Sequence, residues 1–347
     1  MKFFKYIFFF VLLIIVAGAI YIATLESSYD VKRSKLIKAP VEVIYKEVGD
    51  FKNWPAWSPW LSKDPNTVLT YGETTSGDAA SYSWKSDIIG EGQMKTITAI
   101  PNDSLFQNIE FLKPFESKSD VYWKFQPSDG GTEVTWGMKG KMGFMERAYM
   151  AFNGGMDKMI GPDYELGLTQ LDSVVHAAMD KYSVTVDGIT THGGGYYLYN
   201  TTSCKIDEVP QKMEEMMPVL TGYIEENKIA TAGAPYTLYL KYDTENNAAI
   251  FSCAVPVTER VITASDSNVL TGYLLPFNAV KTTLKGDYKN LEEAWNAAMK
   301  YIADNNLKEA VDKPHLEVYL VDSKDTQNPA EWLTEIYIPI EELSNNE

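Results

Sequence analysis

The feature that most constrains the fold of this chain is a repeat in its C-terminal half. The block 213–227 returns as 291–305, displaced by 78 positions, with an acidic pair and a Tyr-Ile step at matching places. The strand-like stretch 235–243 also returns, as 314–322, displaced by 79 positions. The spacing predicts a duplicated strand-helix-strand-strand unit. Two copies are too few for a solenoid, which needs at least about three, so we expect a closed pseudo-twofold domain with a groove on its dyad.

The N-terminal segment predicts a membrane helix. Lys2 and Lys5 precede an uncharged apolar run from Tyr6 to Leu25, about as long as a helix needs to cross a bilayer. A cleaved signal peptide, the alternative, has a shorter apolar stretch followed by a small-x-small site, whereas Ala17-Gly18-Ala19 lies inside the run. We therefore expect an uncleaved single-pass anchor over residues 1–27. Lys2 and Lys5 favour a cytoplasmic N-terminus, whereas a second basic cluster beyond the helix, Lys32, Arg33, Lys35 and Lys38, favours the reverse. We assign the second cluster to a folded strand and expect the domains that follow to lie outside the cytoplasm.

The charge balance restricts the partners of the chain. The formal net charge is −16, and residues 181–347 hold 25 acidic and 13 basic side chains. This acidity repels a phosphate backbone, so we expect no nucleic-acid partner; it suits a cationic ligand or a solvated surface. No metal or nucleotide motif is present and the three histidines are scattered, so we expect no metal and no cofactor. The sequence indicates no particular protein partner.

Residues 30–180 predict an antiparallel sheet that ends in a long helix. Short apolar-alternating stretches are separated by turn-rich segments throughout this region. The predicted strands are 31–37, 80–84, 92–100, 105–111, 119–126 and 132–139. A final helix is predicted from about Pro162 to Met179.

Four short motifs open this region. They are Arg33-Ser34, Ile37-Lys38-Ala39-Pro40, Asp50-Phe51 and Trp57-Ser58-Pro59-Trp60. Together they resemble the opening of the SRPBCC, or polyketide-cyclase-like, proteins. The resemblance implies a START-like helix-grip fold, in which a curved antiparallel sheet wraps a C-terminal helix around an apolar cavity. It implies no single activity, because that family mixes lipid carriers, cyclases and hydrolases.

Three tryptophans are the candidate ligand contacts of this first domain. Trp84, Trp123 and Trp136 fall on predicted strands from which their rings can point into the cavity. Ordinary core packing is the alternative, because aromatic residues dominate protein cores. No pair of histidine and carboxylate in this half stands out as an acid/base couple, which favours binding over catalysis.

Residues 181–195 are predicted to be a linker, and residues 196–343 hold the repeat. The glycine run 193–195 lacks the strand-to-helix setting of a phosphate loop, so we interpret it as a hinge or turn. The leading strands of the two copies are predicted at 196–209 and 274–284, and their helices at 211–227 and 288–305.

The last strand carries the candidate site of the second domain. In Leu333–Ile340, side-chain alternation places the isoleucines on one face and Glu335 with Tyr337 on the other. If the isoleucines pack on the helices, Glu335 and Tyr337 face the groove. We expect Leu316, Val318 and Leu320 of the preceding strand to join the isoleucines.

That arrangement would leave Glu317 and Tyr319 beside Glu335. Carboxylates flanked by aromatic rings bind apolar cations through charge pairing and cation–π attraction. A sheet face open to water is the alternative. Trp295 lies on an apolar helical stripe, where it is either a further ligand contact or a core anchor.

These residues carry a second resemblance. The motifs are Gly286-Asp287-Tyr288, Leu291, Ala294-Trp295 and Glu335-Ile336-Tyr337-Ile338-Pro339-Ile340. They are similar to the GyrI-like small-molecule-binding domain, which is also the effector-binding half of AraC-type and multidrug-responsive regulators. The resemblance implies that a glutamate in the last strand, here Glu335, attracts hydrophobic cations at the base of an aromatic groove. Some relatives hydrolyse cyclopropane-containing compounds, which leaves catalysis open.

The sequence therefore predicts an α+β protein with three parts: a transmembrane helix, a helix-grip domain and a pseudo-twofold domain. The leading hypothesis is a membrane-anchored protein that binds an apolar or lipid-like molecule in one domain and an aromatic or cationic one in the other. The first alternative is a hydrolase with Glu335 as its general base, or a cyclase-like enzyme using the helix-grip cavity. The second is a protein-interaction module with vestigial pockets.

Overall fold

The computed structural model describes residues 2–114 and 116–342 and divides after Ala178 into two units, which are treated separately below. The helices of the first unit are α1 (Lys2–Thr24), α2 (Val41–Gly49), α3 (Pro59–Lys63), α4 (Phe144–Asn153) and α5 (Met156–Met179). Its strands are β1 (Ser28–Ile37), β2 (Val68–Tyr71), β3 (Ser81–Ser86), β4 (Gly90–Ile100), β5 (Ser104–Lys113), β6 (Ser117–Ser128) and β7 (Gly131–Lys141).

Helix α1 meets the physical requirements of a membrane span. In the described part of the chain, Phe3–Thr24 is the one helical stretch long and apolar enough to cross a bilayer, and its most apolar part is not buried. Its side chains have no protein core to pack against. A membrane anchor and a signal sequence both fit this observation.

The first unit is a helix-grip fold. Its seven strands form one antiparallel sheet in the order β1-β7-β6-β5-β4-β3-β2, and β1 closes against β7. Helix α5 packs on this sheet through the buried residues Leu168, Leu171 and Val175. Gly167 of α5 lies directly against the Trp136 ring, so the absence of a side chain there lets the helix approach the sheet closely.

Helix α5 starts earlier than expected. The sequence predicts a start near Pro162, but the helix begins at Met156 and continues through the proline. A proline in a helix removes one backbone hydrogen bond. Packing of the following turns against the sheet outweighs that loss.

The second unit is the duplicated domain. Its helices are α6 (Val209–Glu226) and α7 (Leu291–Asp304). Its strands are β8 (Ser183–His192), β9 (Gly195–Cys204), β10 (Tyr236–Asp243), β11 (Ala248–Pro256), β12 (Leu270–Leu274), β13 (Phe277–Lys285), β14 (His315–Val321) and β15 (Leu333–Pro339). All eight form one antiparallel sheet in the order β12-β9-β11-β10-β14-β15-β13-β8.

The sheet order confirms the repeat. The first copy is β9-α6-β10-β11 and the second is β13-α7-β14-β15, and the two copies meet where β10 pairs with β14. The pseudo-twofold axis passes between these central strands, where Thr237 lies opposite Glu317. Helix α6 covers β9 and β11, and α7 covers β13 and β15, so both helices lie on one face of the sheet.

The segment expected to be a linker is largely a strand. Residues Ser183–His192 form β8, which pairs with β13 along its length. Its Val184 and Val186 pack into the core beneath α7. Glycine and threonine in this stretch obscure the alternation of apolar and polar residues that predicts a strand. After β8, Gly194, at φ 68°, forms the tight turn into β9.

Candidate ligand-binding sites

The first unit contains an apolar cavity of about 410 Å³ between the sheet and α5. Its wall includes Trp60, Trp84, Met94, Ile109, Trp136 and Ile160. Of its lining residues Lys63 alone carries a full charge, and Lys63 Nζ is paired with Asp163 Oδ1 at 2.6 Å. A cavity of this size and composition suits a neutral apolar molecule.

The three tryptophans named from the sequence have different positions. Trp84 and Trp136 are on the cavity wall. Trp123 is fully buried and is not part of that wall; it stacks on Trp136 with ring centroids 4.3 Å apart. Tyr164 stacks on the other side of Trp136, also at 4.3 Å. The wall is therefore also part of the stacked aromatic core, and direct ligand contact stays a prediction for Trp84, Trp136 and Trp123.

Several polar groups of this core have no hydrogen-bond partner. The indole Nε1 atoms of Trp57, Trp123 and Trp136 are buried without one. Trp57 meets Trp123 and Trp136 edge-on, at interplanar angles of 88° and 78°. Edge-to-face packing places the positive edge of one ring against the negative face of another and partly compensates such groups.

In the second unit, the four candidates from the central strands divide between two faces of the sheet. The isoleucines of β15 pack beneath α7, as expected, which leaves Glu335 and Tyr337 on the face away from the helices. The prediction that Leu316 and Val318 join the isoleucines, with Glu317 beside Glu335, is wrong. Val318, not Glu317, lies opposite Glu335, and Glu317 lies opposite Ile336 on the helix face.

The reversal has a simple physical cause. The sheet is buried on both faces, because Leu316, Val318 and Tyr337 form a second apolar cluster on the face away from the helices. Alternation fixes which residues share a face but not which face the helices cover. Glu317 and Tyr319 therefore point toward α6 and α7.

Glu317 is a buried carboxylate held by three neutral donors. Its side chain lies in the helix-facing core, and the residue is only 3% exposed. Its Oε1 accepts a 2.6 Å hydrogen bond from Trp295 Nε1. Its Oε2 accepts bonds from Tyr319 at 2.9 Å and Tyr239 at 3.0 Å. In the described part of the chain, no lysine, arginine or histidine forms an ion pair with it.

Burial dominates the acid-base properties of this group. Desolvation raises the pKa of Glu317, and the bonds from Trp295, Tyr319 and Tyr239 only partly oppose the rise. Burial and the neighbouring carboxylate also raise the pKa values of Tyr239 and Tyr319 well above the ordinary value. Both hydroxyls therefore stay protonated and act as donors at neutral pH.

Aromatic rings surround this carboxylate near the dyad. Tyr288 packs on Tyr319 at 5.7 Å, and His315 packs on Trp295 at 5.6 Å. Tyr239 is a further site residue that the sequence reasoning missed. Its position in β10, the copy of the strand that carries Glu317, was the available signal.

Glu335 already has a cationic partner. Its Oε1 lies 2.6 Å from Lys281 Nζ, and its Oε2 accepts a 2.7 Å bond from the Tyr337 hydroxyl. The lysine, which also lies 4.0 Å from Asp187 Oδ2, pairs with the carboxylate that was expected to attract a cationic ligand. A ligand-binding role for Glu335 and Tyr337 stays a prediction, and Glu317 offers the carboxylate without a cationic partner.

Comparisons with known proteins agree with this architecture. The model of the polyketide cyclase / dehydrase and lipid transport family matches residues 28–176, and the GyrI-like small molecule binding domain matches residues 196–341. Both are families of small-molecule-binding domains. No curated protein matches the chain.

Among solved structures, the EcmrR C-terminal domain is similar at 17% identity and a TM-score of 0.40, covering 47% of this chain and 99% of that one. CV1439 from Chromobacterium violaceum is similar at 12% identity and a TM-score of 0.33, covering 42% of this chain and 96% of that one. The two family models show that, behind an apolar helix that is a candidate membrane anchor, the chain carries a polyketide cyclase / dehydrase and lipid transport domain, followed by a GyrI-like small-molecule-binding domain.

Proposed function

We propose that this protein is a single-pass membrane protein that binds two chemically different small molecules outside the cytoplasm. Its helix-grip cavity takes a neutral, apolar or lipid-like molecule. Its GyrI-like domain takes an aromatic or cationic molecule near Glu317. Such a protein sequesters, senses or passes on these compounds at the bilayer.

The observation that carries this proposal is the 410 Å³ cavity with an apolar wall. Preformed apolar cavities with few polar groups are typical of small-molecule sites. The paired Lys63–Asp163 couple leaves no uncompensated charge on the wall for a charged ligand to neutralise. A long apolar molecule would gain the most from leaving water for this space.

The environment of Glu317 supports the second site. A carboxylate loses much of its hydration when buried, and neutral donors restore only part of that energy. A bound cation would supply the missing charge at Glu317, in a site lined by the rings of Trp295 and Tyr239. The hydrolase alternative has less support, because Glu335 is already occupied by Lys281 and Tyr337.

The cavity can be tested by filling it. Full-length protein purified from membranes would be analysed by native mass spectrometry and then unfolded to release bound molecules. Ile109→Trp places an indole in the cavity, whereas Ile97→Trp makes the same change on the exposed side of the neighbouring strand β4. We expect wild type and Ile97→Trp to retain an apolar molecule and Ile109→Trp to be empty. Equal retention by all three would contradict the proposal.

The anchor has its own test. Membranes washed with alkaline carbonate should retain the protein, and its intact mass should include residues 1–27. A shorter, released species would show that the segment is a cleaved signal peptide instead.

A further inference from the structure

Helix α4 is amphipathic, and its apolar face points outward. The exposed side chains of that face are Phe144 (42%), Met145 (77%), Tyr149 (54%) and Phe152 (87%). The other side of the helix is more polar, although the half-buried Met150 lies between its two charged residues. It carries Glu146, which accepts a bond from the Gly143 amide at the helix start, and Arg147. A helix on a water-exposed surface has the reverse arrangement, with its apolar face against the protein.

Arg147 places α4 at the end of the membrane helix. Its Nη1 donates to the backbone carbonyls of Ala23 and Leu25, each at 3.1 Å. Carbonyls at a helix C-terminus have no partner within the helix, so the guanidinium satisfies groups that α1 leaves open. The amide of Met142 also donates to the Ser27 carbonyl at 2.6 Å. Helix α4 is thereby held at the level where α1 ends.

The cavity wall extends to this same end of the sheet. Ser28, the first residue of β1, pairs with Lys141, the last residue of β7. The successive antiparallel pairs from β7 through β6, β5 and β4 to β3 place the turn between β3 and β4 at this end as well. That turn contributes Ile88, which is 70% exposed, and Ile89 to the cavity wall. The first unit therefore presents Ile88 and the apolar face of α4 at the same end of the sheet, the end at which α1 joins β1.

We propose that the apolar face of α4 and the Ile88 turn insert into the interface of the bilayer that α1 spans, so that the helix-grip cavity exchanges apolar molecules directly with that bilayer. This inference rests on the proposed anchoring by α1. The bilayer is the occupant because Arg147 ties α4 to the last residues of a membrane helix, which places the exposed face at headgroup depth. Tyrosine, here Tyr149, is enriched at that depth.

Site-directed spin labelling of the full chain tests this arrangement. Single cysteines would replace Met145 and Phe152 in a Cys204→Ser background, in which Cys253 is fully buried. Asp129→Cys, in the exposed turn at the opposite end of the sheet, is the aqueous control, and Ile14→Cys, inside α1, is the lipid control. The protein would be reconstituted into vesicles of phosphatidylcholine and phosphatidylglycerol. Collision rates with oxygen and with a water-soluble nickel chelate would then be compared.

We expect labels at 14, 145 and 152 to collide preferentially with oxygen and the label at 129 with the nickel chelate. A lipid-exposed label at 14 with water-exposed labels at 145 and 152 would overturn the docking of α4 while leaving the anchor intact. A water-exposed label at 14 would overturn the anchor and the docking together. Labels at 145 and 152 shielded from both reagents would mean that a protein partner or a second copy covers α4, and would also overturn the inference.

Discussion

The two domains offer a ligand different things: the helix-grip domain offers volume, and the GyrI-like domain offers charge. The first keeps an open cavity of about 410 Å³ and pairs Lys63, its one charged lining residue. The second closes Trp295, Tyr239 and Tyr319 over a carboxylate with no cationic partner among the described residues. Binding in an open apolar cavity is favourable because an apolar ligand leaves water. Binding at a buried carboxylate is favourable because the ligand brings a positive charge.

This difference predicts opposite selectivity in the two domains. The helix-grip cavity should prefer neutral molecules and tolerate changes in shape. The site near Glu317 should discriminate by charge, and a ligand must part the rings that now cover the carboxylate. The variants below test how much individual side chains of each domain contribute to the free energy of unfolding and to ligand binding.

The largest expected effect is on the wall of the cavity. Trp136 lies between Trp123 and Tyr164, so Trp136→Ala removes a fully packed ring. We expect the free energy of unfolding of the first unit to fall by about 3–5 kcal/mol. Hydrogen exchange measured by mass spectrometry would report the loss in β6 and β7. Unchanged protection in those strands would contradict the packing, and Ile97→Ala, on the exposed side of the sheet, serves as the control.

The next effect concerns the buried charge. Because burial raises the pKa of Glu317, the folded state binds this proton more tightly than the unfolded state. Above the ordinary glutamate pKa, ionisation of Glu317 therefore lowers the free energy of unfolding as pH rises. The total decrease is about 1.4 kcal/mol for each unit by which the folded-state pKa exceeds the unfolded-state pKa. The cost stops growing above the folded-state pKa. Glu317→Gln should remove it, so the stability of the variant relative to wild type should increase from pH 4 to pH 8.

Denaturant titrations of both proteins across that pH range would measure this difference. A difference that does not change with pH would mean that Glu317 has the same pKa in the folded and unfolded states. Glu335→Gln is the matched control, because it removes a carboxylate that is paired with a lysine, Lys281.

The smallest effect is expected at the rim of the cavity. Lys63 is partly exposed and pairs with Asp163, so Lys63→Met should change the free energy of unfolding by about 0–1 kcal/mol. Binding of a neutral apolar ligand should be preserved in this variant. Fluorescence titration with such a ligand would check this, and a large loss of affinity would mean that Lys63 contacts the ligand.

Much of the fold was predictable because the repeat and the two resemblances fix the order of elements. The face of β14 was not, because Leu316 and Val318 are as apolar as the isoleucines of β15 and the sheet is buried on both faces. The register also shifts between Tyr319 and Val321, which interrupts simple alternation. Helix α4 was missed because its apolar residues face outward and contribute nothing to a core.

The candidate site was predictable in residue type more than in arrangement. Trp295 and Glu317 were both named from the sequence, but their 2.6 Å contact depends on α7 approaching the dyad, which periodicity does not report. Glu335 matched a motif, yet its partner Lys281 comes from β13, a strand distant in sequence.

The most direct test of the contrast between the two domains is the charge selectivity of the full-length protein. Calorimetric titration would use an aromatic quaternary ammonium compound and its uncharged carbon isostere, with wild type, Glu317→Gln and Glu335→Gln. We predict that Glu317→Gln loses about 10- to 100-fold in affinity for the cation, as expected for about 1.4–2.7 kcal/mol of charge pairing, while binding of the isostere is unchanged. Equal losses for both compounds, or a larger loss in Glu335→Gln, would contradict the assignment of the cation site to Glu317.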